Sequence, residues 1–162
     1  KLLAGPETDV RLRLLELIEA RQDASLLPDV HALLLDKDDS VRERALRCIK
    51  TFGKKESAEP LLAAAGKEED EYIKVEMAEA LLELGDPRGF GPLIEVITGG
   101  EAVQARRDGW EHLKAHAVID VPFRAELPPE ENAKAIEDLR RWWRDNGKKL
   151  VLERAGVFRA GI

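Results

Sequence analysis

Residues 41–53 read VRERALRCIKTFG, and residues 73–88 read IKVEMAEALLELGDPR. With an offset of 32 the two stretches share their grammar. Each opens on a β-branched residue followed by a cation, Val41-Arg42 and Ile73-Lys74. Small or apolar residues then coincide: Ala45 with Met77, Leu46 with Ala78, Cys48 with Ala80, Ile49 with Leu81 and Phe52 with Leu84. Both end on a glycine, Gly53 and Gly85. The frame returns at Ala105-Arg106 and, 31 residues before the first stretch, at Val10-Arg11. Apolar residues at the first, fifth, eighth, ninth and twelfth places form a helical stripe, so four long amphipathic helices are predicted. Val41, Leu46, Ile49, Ile73, Ala78, Leu81 and Leu113 fall on that stripe and are the predicted core.

A shorter apolar segment precedes each of the later copies: PDVHALLLD (28–36), EPLLAAAG (59–66) and GPLIEVITGG (91–100). Pro28, Pro60 and Pro92 recur at the same interval, each where a first helical turn tolerates proline. Acidic turns (DKDDS, KEEDE) join the short helix to the long one, and Gly85-Asp86-Pro87 joins one repeat to the next. Such a pair cannot bury its apolar faces alone. Stacked pairs can, so the expected fold is all-α, an α–α superhelix.

The pattern of a Pro-initiated short helix, an Asp turn and a VRxxAxxALxxLGD-like long helix resembles HEAT repeats, most closely the phycobilisome-lyase-type HEAT-like repeats of bacterial proteins. The resemblance covers roughly residues 1–117. It implies a HEAT-like solenoid and leaves the activity open, because one fold hosts many functions.

Both ends depart from the repeat. Lys1–Ala4 aligns with the tail of a short helix, which predicts a chain that is part of something longer, with Leu2, Leu3, Leu12 and Leu15 as an exposed seam. Near the other end, Pro128-Pro129-Glu130 predicts the start of a helix carrying Ile136, Leu139 and Trp143 on one face, stopped at Asn146-Gly147. Trp143 is expected to plug the end of the stack. Trp142 is expected either to pack on Trp110 or Phe123, or to stand exposed as a binding anchor. KLVLERAGVFR then reads as a short hairpin or an extended tail around Ala155-Gly156. The predicted organisation is repeats over 1–122, the first truncated, and a C-terminal cap over 123–162 with a tryptophan-bearing helix and a basic tail.

Composition narrows the function classes. Charged residues make up 36% and aromatics 5% of 162 residues, which suits solvated helices packed on one face. The net charge of −6 argues against a general nucleic-acid binder. One cysteine allows no internal disulfide, and no apolar run reaches the length of a membrane span. The compartment is not legible; the cytoplasm is slightly favoured, and an N-terminal targeting segment would lie outside a truncated start.

Chemistry-bearing residues are few. His112 and His116 share a helical face at a spacing that suits two metal ligands, with Glu111 beside them. The register, however, gives them packing places equivalent to Cys48 and Phe52. Deoxyhypusine hydroxylase, a HEAT-repeat enzyme, holds iron through His-Glu pairs in a context like HEAAEAL. The matching frame here, VEMAEAL, lacks the histidine, so that site cannot form. A bilin lyase, which the subclass name suggests, would need a tetrapyrrole cavity, and the single thiol, Cys48, falls on the packed face. No cofactor is implied. The repeated cations Arg11, Arg42, Lys74 and Arg106 read as a structural ladder paired with Glu7, Asp38 and Asp70 of the preceding turns.

Outward-facing places of the long helices form two rows: Arg13, Arg44, Glu76 and Asp108, then Glu16, Arg47, Glu79 and Glu111. Both turn acidic along the chain. Residues 140–162 carry seven cations against two acids, a net +5, which leaves −11 on the rest. A nucleic-acid groove would be continuously basic. The expected role is therefore a non-enzymatic interaction or scaffolding module. It would bind a protein or peptide on the concave face through Arg44, Arg47, Glu76, Glu79, Asp108, Glu111 and Trp142. The alternative is an enzyme or accessory factor using the His112/His116/Trp110 region. The expected assembly state is a monomer, or weak self-association through the truncated end.

Overall fold

A computed structural model describes residues 7–154 and 157–160. The expectations for Lys1–Ala4, with Leu2 and Leu3, and for the Ala155-Gly156 turn lie outside the described residues. Eight α-helices and a two-stranded sheet are seen among them. The helices are α1 (Thr8–Arg21), α2 (Leu27–Leu33), α3 (Asp39–Phe52), α4 (Ala58–Ala65), α5 (Glu71–Glu83), α6 (Phe90–Gly99), α7 (Val103–His116) and α8 (Ala133–Asn146). The strands β1 (Leu150–Arg154) and β2 (Val157–Ala160) pair antiparallel, so the tail is a hairpin. The class is all-α: long helices α1, α3, α5 and α7 alternate with short α2, α4 and α6.

A single 3-10 turn leads into each short helix: Ala24–Leu26, Lys55–Ser57 and Pro87–Gly89. Asp23 and Asp86 start two of these turns by accepting the backbone N–H two residues on. Such Asx turns divert the chain from continuing helix and set the next entry angle. Two of the long helices, α3 and α5, start the same way, Asp38 accepting from Ser40 and Asp70 from Tyr72 and Ile73.

The two glycines that close the matched stretches do different work. Gly85 has φ +82°, and Asp86 N–H donates to Leu81 O at 2.9 Å while Gly85 N–H donates to Leu82 O at 3.0 Å. That is the Schellman pattern, which needs a left-handed residue. Gly53 is extended, with φ −61°. It is required by space: a Cβ there would lie 2.4 Å from the carbonyl oxygen of Ile49.

The chain falls into two compact units, the first ending at Lys67 and the second beginning at Glu68. In the first, α1 packs on α3, and α2 on α3 and α4. Its centre is Leu15, Val30, Leu34, Val41, Ile49 and Leu61, all buried. In the second, α5, α6 and α7 pack on one another and α6 on α8. One apolar core there runs from Val75 and Phe90 through Trp110 and Leu139 to Phe158, so the non-repeat segment shares the core of α5–α7.

All seven predicted core residues are buried. The exposed seam predicted at Leu12 and Leu15 is not seen: Leu15 is fully buried, because the sixth place of a long helix faces inward as at Leu46 and Ala78, and Leu12 is half-buried. The last helix also starts later than predicted, at Ala133. Pro128–Asn132 is turn, and buried Asn132 is committed to the preceding loop. Its side chain accepts from Arg124 N–H and donates to the carbonyls of Arg124 and Leu127.

Replacing Leu81, fully buried, or Ile49, 2% exposed, by alanine is expected to cost ~2–5 kcal/mol in a denaturant melt. A loss under about 0.5 kcal/mol, the range of neutral surface changes, would contradict the packing.

Candidate functional site

Each unit arranges its long helices so that the side chains of one reach the next. In the first unit, Thr8 Oγ1 donates to Asp38 at 3.1 Å and Arg11 meets Asp36 at 2.8 Å, which ties the start of α1 to the turn before α3. In the second, the Glu71 carboxylate accepts the N–H groups of Glu101 and Ala102 at 2.7 and 2.9 Å, and so caps the start of α7 from α5. The approach is close enough that a Cβ on Gly100 would lie 2.7 Å from Glu71 Oε2.

The cation ladder ties elements together, but its partners differ from those expected. Arg11 reaches forward to Asp36, and Arg42 donates to the Asp36 carbonyl. Lys74 pairs with Glu95 on α6 at 3.3 Å. Arg106, buried, donates to the carbonyls of Gly100, Glu101 and Ala125. Asp38 and Asp70 are occupied as helix caps, which leaves the cations to find other acceptors.

The outward rows are partly consumed inside each unit. Arg44 lies 3.2 Å from Glu19 and 3.6 Å from Glu16, bridging α3 to α1. Glu79 holds His112 Nδ1 at 2.8 Å, bridging α5 to α7. Asp108 accepts from Gln104, and Glu111 pairs with Lys114 one turn on. Arg47, Glu76 and Glu111 are exposed. Basic residues of the last segment bond locally, Arg140 to Thr98, Arg141 to Asp138, Arg144 to Asp145 and Arg159 to Glu153. Trp142 and Trp143 are both half-buried. Trp142 stands edge-on to Phe90 at 5.8 Å, and it is Trp110 that meets Phe123, at 5.4 Å. The expected Trp142 contact is therefore replaced: α8 lies on α6, and Phe90 also takes Trp143 and Phe158.

The histidines offer little chemistry. His112 is oriented by Glu79, and His116 ends α7. His31 bonds Ser57 Oγ at 2.8 Å, and desolvation holds its pKa below the ordinary value. Among the described residues, no three His, Cys, Asp or Glu side chains converge in a metal-holding group. A cleft of about 700 Å³ in the second unit is lined by Glu68, Glu69, Glu71, Glu95, Lys74 and Arg140, among others. Lys74 pairs with Glu95 and Arg140 donates to Thr98, and the four carboxylates outnumber the two cations, so the lining is acidic.

The family model for HEAT repeats matches residues 1–82 and 36–108. The chain belongs to the HEAT-repeat family. HEAT repeats commonly mediate protein–protein interaction, and the family is generally a non-enzymatic scaffold. The match is to HEAT repeats at large, without distinguishing a phycobilisome-lyase-type subclass or a bacterial source. No curated protein and no solved structure gave a match. No described helix is long and apolar enough to cross a membrane.

Sequence reasoning missed the first-turn reach of Thr8 and Glu71. The available signal was a polar residue opening three of the four long helices, Thr8, Asp39 and Glu71, two places before the first apolar position.

Cys48, fully buried at the eighth place of α3, donates to Leu15 O at 3.5 Å. Burial, with Glu19 adding to it, pushes its thiol up to about 11 from 9.0. The folded state therefore holds the proton more tightly than the unfolded chain. That stability is present below pH 9 and is lost as pH rises toward 11. At pH 8 the thiolate fraction is roughly 100-fold below that of an ordinary thiol. Labelling by a disulfide reagent should be slow in native buffer and fast in denaturant; equal rates would show the thiol accessible.

Replacing Glu79 by glutamine and His112 by alanine, singly and together, should reveal coupling of about 0.5–3 kcal/mol, the range for residues in contact. Additive losses would mean that the pair does not tie α5 to α7.

Proposed function

We propose that this HEAT-repeat chain is a non-enzymatic interaction module that binds a partner protein or peptide through the outward rows of its long helices. In the first unit the rows present Arg44 and Arg47, and in the second Glu76, Glu79, Asp108 and Glu111. The observation that carries the reading is the pair of exposed carboxylates, Glu76 on α5 and Glu111 on α7, on a HEAT-repeat chain. A row of carboxylates repels a phosphate backbone and attracts a basic segment. Within the rows the tasks divide. Arg44 and Glu79 hold neighbouring helices, while Arg47, Glu76 and Glu111 meet the partner. Trp142, committed to Phe90, supports the cap rather than the interface.

Peptides selected from a display library against the whole chain supply a test. The selected set should be basic. Reversing Glu76 and Glu111 to lysine should leave the melt nearly unchanged and lower the on-rate at low salt about tenfold, with the difference shrinking as salt is added. Selected peptides indifferent to that reversal would remove the interface from this surface.

A further inference from the structure

The first unit carries one titratable group that the repeat does not require. His31, on α2, lies 2.8 Å by its Nε2 from the hydroxyl of Ser57, which closes the 3-10 turn leading into α4. One repeat on, the corresponding places are Ala63 and Gly89, which offer no such bond. The repeat therefore closes without it. Ser57 is fully buried, and its Oγ also accepts the backbone N–H of Lys54 at 3.4 Å across the same turn. The neighbours in sequence, Val30 and Ala58, are both core residues, so the bond joins two packed segments.

Hydrogen-bond accounting decides which way the bond runs. A hydroxyl has one hydrogen to donate, and a buried one left without an acceptor is costly. Among the described residues the Ser57 hydroxyl has no acceptor other than His31 Nε2. The hydroxyl therefore donates to the ring, Nε2 carries the lone pair, and the neutral imidazole holds its hydrogen on Nδ1. A second proton has only Nε2 to go to. Nε2–H and O–H then point at each other, and the hydroxyl must turn away with nothing to receive it.

We propose that His31 and Ser57 form a proton-operated latch between α2 and the turn before α4, closed by the neutral ring and released when the ring is protonated. His31 is half-buried, so protons reach it from solvent while Ser57 stays dry. Desolvation holds the ring below its ordinary 6.5, and it is the one cause at work. The elements packed around it carry charges, among them Asp29 on α2, Lys50 on α3, Lys54 and Glu56 at the turn and Glu59 on α4, and none offsets that effect. As pH falls the unfolded chain takes the proton first. The contribution of the latch is therefore whole above 6.5 and is lost as pH drops below it. The latch stands without the partner surface proposed above.

Nuclear magnetic resonance on the whole chain, labelled with heavy nitrogen, supplies the test. At about pH 7.5 the imidazole spectra should show hydrogen on His31 Nδ1 and a bare Nε2. On acidification to about pH 5.5, amide exchange over residues 54–61, corrected for its intrinsic rate, should speed at least about threefold. His31→Gln, whose amide oxygen accepts the same hydroxyl without titrating, should remove that acceleration. Ser57→Ala should let the ring populate both neutral tautomers. Hydrogen on Nε2 at about pH 7.5, or a His31 midpoint in the folded chain at or above that in urea, would overturn the proposal, and neither reading needs a variant. Acceleration that persists in His31→Gln, or an unchanged tautomer in Ser57→Ala, would overturn it equally.

Discussion

In each unit the start of the first long helix is fixed to the turn that opens the second, and the rest of the packing inherits that register. Thr8 and Arg11 do this on Asp38 and Asp36; Glu71 does it on the free N–H groups of Glu101 and Ala102. The second form is the stronger in principle. A carboxylate accepting two N–H groups at a helix start satisfies donors that otherwise lack partners and sits at the positive end of the helix dipole. With the starts aligned, places along the helices pair at fixed offsets: Cys48 on the Leu15 carbonyl, Arg44 on Glu16 and Glu19, His112 on Glu79. These ties are polar and partly screened, so they set which faces meet more than how tightly. The stability comes from the apolar stripe they bring into contact.

The second unit solves the problem of where a repeat ends. A helix pair left at the end of a stack exposes one apolar side. Here the segment after α7 supplies the missing layer, laying α8 on α6 and grouping Trp142, Trp143 and Phe158 around Phe90. Two buried polar side chains make the irregular loop feasible. Arg106 satisfies three carbonyls, including that of Ala125, and Asn132 closes the 124–127 turn on both its N–H and C=O sides. A loop buried without such partners would leave costly unsatisfied backbone groups. The last repeat cation has thus been redirected from an inter-repeat tie to holding the cap.

How much of this was legible in the sequence follows from what is periodic. The stripe Val41–Leu46–Ile49 and its copies at Ile73–Ala78–Leu81 and Leu113 were readable because helical spacing alone decides which side is buried. The proline interval located the short helices for the same reason. What periodicity does not encode is the choice among polar partners. Asp38 and Asp70 sit equally near the cations and their own helix starts, and the cap geometry wins because it is local. The Pro128-Pro129 start was misplaced since a helical turn and a plain turn share that signal. Trp142 and Trp143 are adjacent and so point about 100° apart around α8. That geometry does not say that a single phenylalanine on α6 would be placed to take both.

The charged rows were legible as exposed, but not as divided between duties. Arg44 and Glu79 occupy the same rows as Arg47 and Glu76, yet each sits between two helices, part-buried, where losing its partner leaves a charge less solvated than on the open surface. Arg47, Glu76 and Glu111 point outward, where an ion pair contributes little to folding and charge is open to vary with the partner. A repeat surface therefore carries a constraint every few residues. Places that face the neighbouring helix are bound to the architecture, and those one step around the helix are left for recognition.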